Sequence, residues 1–139
     1  MKIEELIEII KQNCLGMSHG KKIDPVTSRD QVLFGAVDKE CTGIVVTCYV
    51  NPAVIQNAHE RGANFIICHE SMFWNHGDTT SWLSENEVYQ YKKRLLEKYD
   101  ITVWRFHDYI HSGIRLQDGT YADGIFYGLM KQMGWEGYL

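Results

Sequence analysis

No apolar run in this sequence approaches the roughly 20 residues that span a bilayer. Its first ten residues, MKIEELIEII, carry acids where a signal peptide would hold an uninterrupted apolar stretch. Neither a membrane nor a secretory route is expected, and the reading is a soluble, cytoplasmic protein. A basic stripe is also missing. The 14 Lys and Arg residues are mixed among 18 Asp and Glu, for a net charge of -4. Nothing therefore neutralises a phosphate backbone, and nucleic acid is not an expected partner. There is no C-x-x-C pair: Cys14, Cys41, Cys48 and Cys68 are scattered, and two of them sit in apolar strand-like runs. Such thiols read as reduced core residues. Two prolines, no repeat, no low-complexity tract and no linker leave 139 residues, 45% of them hydrophobic, to form one domain.

What is present is an alternation of helical and strand-like periods. Ile3, Leu6, Ile7 and Ile10 fall on one stripe at helical spacing, which gives an amphipathic opening helix over residues 2–13. Residues 15–30 have no period and read as a surface loop leading into a short apolar run at 32–34. From Thr42, T-G-I-V-V-T-C-Y-V is β-branched and continuously apolar, the pattern of a strand covered on both faces. Asn51 then caps a helix, with Pro52 at its first position and Gly62 at its close. Residues 64–68 form the next strand, and the connection is a βαβ unit with a right-handed crossover. After a polar and aromatic loop over 69–82, Ser84 and Glu87 form a capping box for a helix reaching about Tyr99. A strand at 101–106, a loop at 108–120 and a final helix carrying Ile125, Leu129 and Met130, with Gly134 near its end, complete the chain. The fold class is α/β, a mixed or mostly parallel sheet with βαβ units and flanking helices.

Two of these strands are followed at once by ionisable residues. His69 and Glu70 leave one; His107, Asp108 and His111 leave the other. The carboxyl ends of parallel strands share one rim, where functional groups gather because the loops leaving it are free to vary. Imidazole and carboxylate together suit zinc, manganese or iron better than calcium. The four-residue spacing of His107 and His111 puts both on one side of either a helix or a strand. The structural alternative is that His69 and Glu70 hydrogen-bond the following turn and that His107 is a satisfied core histidine. His59 reads as a surface residue, His19 as part of an irregular loop, and His76 and Asp78 as residues lining the pocket or held by turn hydrogen bonds. Phe73, Trp74 and Trp104 fall near the same rim, where they stack a ring-shaped ligand or seal a subunit contact; core packing is the default for Phe73 and Trp104.

The succession C-T-G-I-V-V-T, N-P-A-V-I-Q-N-A-H-E-R-G-A-N-F-I-I-C-H-E-S-M-F-W-N-H-G-D and Y-D-I-T-V-W-R-F-H-D-Y-I-H resembles the NIF-three-like family of dinuclear-metal proteins, some described as type 2 GTP cyclohydrolase I. The resemblance runs from about Thr42 to Trp135. It implies one or two divalent transition metals (zinc, manganese or iron) held by His69, Glu70, His107 and His111. Where the family has two adjacent histidines this sequence has His69 and Glu70, and where the family has a histidine followed by an aspartate it has His107 and His111. The family continues into a further segment that supplies more ligands, so the chain is expected to be the N-terminal part of a longer member. Family members form toroidal hexamers, which implies a homo-oligomer.

Two functions compete. One is a metal-dependent hydrolase acting on a small-molecule substrate, nucleotide-like or heterocyclic by resemblance, with Asp108 or Glu70 as general base. The other is a non-catalytic binding or regulatory module whose metal stabilises the fold or an assembly. A separation of His69 from His107 and His111 beyond about 10 Å would leave only a structural domain.

Overall fold

A computed structural model describes residues 1–73 and 79–138. In chain order the elements are α1 (Ile3–Gln12), β1 (Met17–Ser18), β2 (Lys21–Lys22), β3 (Val32–Phe34), β4 (Ile44–Thr47), α2 (Pro52–Glu60) and β5 (Phe65–Cys68). Then come α3 (Glu87–Tyr99), β6 (Thr102–Arg105), α4 (Asp108–Ser112), β7 (Ile114–Arg115), β8 (Tyr121–Ala122), α5 (Gly124–Met133) and a closing 3-10 turn at Glu136–Tyr138. The central sheet has the order β3-β6-β5-β4. Its last three strands are parallel, and β3 runs antiparallel on the β6 edge.

Alternation along β5 divides the core between the two faces. Ile66 and Cys68 pack with Val103, Ile55, Leu95 and Leu96 under α2 and α3. Phe65 and Ile67 face the other way and pack with Trp104 against Ile3 and Ile7 of α1. Every residue of β5 and β6 is buried. The expectation of double coverage fails at β4, where Ile44 is 44% and Val46 75% exposed. The reason is geometric: α1 packs on this face through Ile3 and Ile7 over β5 and β6, and β4 is left an exposed edge.

Local chemistry explains most boundaries. Asn51 accepts the Val54 amide at 2.9 Å, and Pro52 opens α2. The Ser84–Glu87 box does not form. Asn86, one residue ahead of the helix, accepts the Tyr89 amide at 3.0 Å instead, and the Ser84 carbonyl receives the Gln90 side chain at 2.7 Å. The expected loop at 15–30 contains the β1/β2 hairpin, and that at 108–120 contains α4 and the β7/β8 hairpin; each strand is two residues long, below what period-2 patterning can reveal. Cys14 and Cys68 are buried as expected, and burial pushes the Cys14 thiol up to about 11; Cys48 is exposed, because it leaves the edge strand.

Candidate metal centre

Pairing across the sheet sets the rim. Thr47, Cys68 and Arg105 lie in register at the ends of β4, β5 and β6. The ladder continues one step beyond them: the His69 amide donates to Thr47 at 3.2 Å, the Glu70 amide to Cys48 at 2.9 Å and the Phe106 amide to Cys68 at 2.8 Å. His69 therefore leaves β5 with its backbone fixed, and β6 delivers His107 to the neighbouring position, where α4 begins.

The turn carrying His107 and His111 is held by a residue 77 positions earlier. Asp30 is 7% exposed, and its carboxylate accepts the amides of His107 (2.9 Å), Asp108 (2.8 Å) and Tyr109 (3.1 Å), together with the Ser28 hydroxyl (2.8 Å). A short helix has amides without internal partners at its start, and one buried carboxylate satisfies them here. The Ser112 hydroxyl closes the other end by accepting from the Gly16 amide at 2.9 Å and donating to the Tyr109 carbonyl at 2.7 Å.

Three imidazoles meet on this frame. His69 and His107 stack at 4.6 Å between ring centroids, and His111 stands edge-on to both at 4.9 and 5.0 Å. One ligand nitrogen from each lies within 4.8 Å of the others, so the structural alternative that required a wide separation is set aside. Each Nδ1 is engaged on an acceptor: His69 on the Phe106 carbonyl at 3.1 Å, His107 on Asp108 at 3.0 Å and His111 on Asp123 at 2.7 Å. In neutral rings these contacts place the proton on Nδ1 and leave the Nε2 lone pairs available, the arrangement seen around metal-ligating histidines. Three imidazoles packed this closely, each with its Nδ1 on an acceptor, fit a borderline transition-metal cation.

The electrostatics agree. Burial holds His107 below its ordinary value of 6.5, and the neighbouring His69 and His111 act in the same direction, outweighing Asp108. Burial pushes the Asp108 carboxyl up, but the Arg29 amide, the His107 ring and the Arg29 guanidinium outweigh it and hold it below its ordinary value. For Asp123 burial is likewise outweighed by His111 and the Phe126 and Ile125 amides. Both carboxylates are thus anionic acceptors at neutral pH.

The other sequence candidates divide. Glu70 follows His69 directly, and its carboxylate lies 4.0 Å from the guanidinium of buried Arg105; the group of three ligand atoms within 4.8 Å is made by the histidines. Asp108 has its oxygens on His107, the Arg29 amide (2.9 Å) and the Arg29 side chain (3.6 Å). His19 sits in the turn of the β1/β2 hairpin and lines a cleft of about 540 Å³ that opens beside His107 and His111. His59 is exposed and stacks on Tyr99 at 4.0 Å. Phe73 and Trp104 are core residues on opposite faces of the sheet. Trp74, His76 and Asp78 lie outside the described residues. Asp30, Asp123 and Arg105 escaped the sequence reading. Asp123 had a local signal, since it caps α5 through the Ile125 and Phe126 amides; Asp30 had none.

Known proteins share the sequence pattern and the fold. The model of the Duf34/NIF3 (NGG1p interacting factor 3) family matches residues 1–110. Staphylococcus aureus protein SA1388 superposes with a TM-score of 0.67 at 25% identity, over 96% of this chain and 34% of that one. A Bacillus cereus protein related to NIF3 gives 0.70 at 17% identity, over 96% and 32%. Reduced HcgD from Methanocaldococcus jannaschii gives 0.59 at 21% identity, over 80% and 41%. The last two likenesses are of fold alone. The chain spans about a third of the length of the first two of these structures. No curated protein matches it.

Proposed function

This chain belongs to the Duf34/NIF3 family, and from that premise we propose that His69, His107 and His111 hold a divalent transition metal in a site built for hydrolytic chemistry. The observation that carries the reading is the cluster itself: one nitrogen from each of three imidazoles lies within 4.8 Å of the others, and each Nδ1 rests on an acceptor. A zinc, manganese or iron ion bound there supplies Lewis acidity toward water and a substrate oxygen. The protein's part is orientation. The Phe106 carbonyl, Asp108 and Asp123 fix tautomer and ring angle, and Asp30 keeps the His107 turn in place. Under this reading Glu70 is the proton acceptor, since Asp108 is occupied in holding His107; Glu70 also stands in reserve as a ligand.

Elemental analysis of the purified protein tests the reading. About one equivalent of metal is expected in the wild type and a large loss in His69→Ala. Turnover of a phosphate-ester panel should then fall with Glu70→Gln at unchanged metal content. If no metal co-purifies and added zinc or manganese leaves the melting temperature unmoved, the site reading fails.

A second reading has its own observation. Helix α5 has no buried residue, and Phe126, Leu129 and Met133 are 55%, 52% and 41% exposed. Such a face suits an oligomeric module of identical copies, with the metal as a structural element. Metal retained without turnover that responds to mutation would favour it.

A further inference from the structure

The cleft beside the imidazoles has His107, Asp108 and His111 on one side and, on the other, the β1/β2 hairpin with the segment up to Arg29. Two carboxylates line it, and both are turned to neighbours. Asp24 accepts the Val26 amide at 2.9 Å and the Thr27 hydroxyl at 3.3 Å. Asp108 accepts the Arg29 amide and faces His107 and the Arg29 guanidinium. The cations are not matched in the same way. Lys22 has no carboxylate partner among the described residues, and Arg29, half exposed, meets Asp108 through a single nitrogen at 3.6 Å. Two cations against two engaged carboxylates become a net positive cleft once a divalent ion joins the imidazoles. Spare N–H donors on a positive wall are the recognition chemistry of an oxyanion with several acceptor oxygens.

The lining also lacks something. Among the described residues no Phe, Tyr or Trp borders the cleft; the ring side chains there are His19, His107 and His111, and the last two belong to the metal cluster. A purine needs an aromatic face or an apolar slot to stack in, whereas Met17 and Ile23 are the apolar side chains here. At about 540 Å³ the space holds a small ligand.

We propose that the site takes a small, non-aromatic phosphorylated substrate, with its phosphate on Lys22 and Arg29 and its reacting end at the imidazoles. The assignment rests on the metal-site reading above and narrows it away from nucleotides. Calorimetric titration of the zinc-loaded full chain with inorganic phosphate, glycerol 3-phosphate, 3-hydroxybutyrate and guanosine tests it. Both phosphates should bind, glycerol 3-phosphate more tightly, and the carboxylate and the nucleoside should not. Lys22→Glu should weaken phosphate binding by about tenfold or more. Lys21→Glu, on the same exposed hairpin but outside the cleft lining, should leave binding unchanged and controls for folding. Phosphate binding insensitive to Lys22, equal sensitivity to Lys21, carboxylate bound as tightly as phosphate, or guanosine bound more tightly than glycerol 3-phosphate would each overturn the proposal. Failure of zinc to bind is read separately, in the zinc titration before any anion is added, and overturns the metal reading itself.

Discussion

At the residue scale the site is a set of oriented rings, and its weakest points are the acceptors behind them. Asp123 holds His111 at 2.7 Å and at the same time caps α5. Asp123→Asn keeps much of the cap but weakens the ring contact. It is expected to lower zinc affinity roughly 10- to 100-fold, measured by competition with a chromophoric chelator. Asp30→Ala acts differently, because it strands three buried or half-buried amides and the Ser28 hydroxyl. A loss of about 3 kcal/mol in urea unfolding of the metal-free protein is expected, against near-neutral behaviour for exposed Asp24→Ala outside its turn contacts. His107 sets a pH dependence whose sign follows from its lowered value. Below pH 6.5 the unfolded chain takes up the proton before the folded chain does. The stability of the metal-free protein is therefore full above that value and declines as pH falls through the window beneath it, as a denaturation series at pH 7.5, 6.5 and 5.5 will show. His69, His107 and His111 were legible in the sequence because each follows a strand directly or by one turn. Asp30 was not, since a 77-residue separation leaves no local pattern to read.

At the element scale, local signals succeeded where one residue type has one good place to go. Asn51-Pro52 could only start a helix. The start of α3 was ambiguous because Ser84 and Asn86 both offer a side-chain oxygen ahead of the helix, and geometry chose the nearer one. Asn86→Ala should therefore cost about 1 kcal/mol and Ser84→Ala little, a difference that thermal unfolding of the pair can resolve. β4 was misjudged for another reason. Its composition, I-V-V-T, is that of an inner strand, but coverage depends on where the topology seats the helices, and α1 packs over β5 and β6. The exposed Val46 edge and the exposed face of α5 are thus features of arrangement, which composition alone does not encode.

Over the whole molecule those features add up to an unusual surface. They are an apolar strand edge at Ile44 and Val46 and an apolar helix face at Phe126 and Leu129, the kind of surface that marks a contact with another body. If a second copy covers it, light scattering should give a mass above that of one chain, and the melting temperature should rise with protein concentration. Val46→Lys places a charge on the strand edge, and Phe126→Asp places one on the helix; neither side chain is in the core, so each variant should stay folded by circular dichroism while losing the oligomer. A chain that scatters as a monomer at every concentration, with both variants melting as the wild type does, would show that identical copies do not cover this surface. The metal site would survive that result, because its three imidazoles and their acceptors all come from one chain.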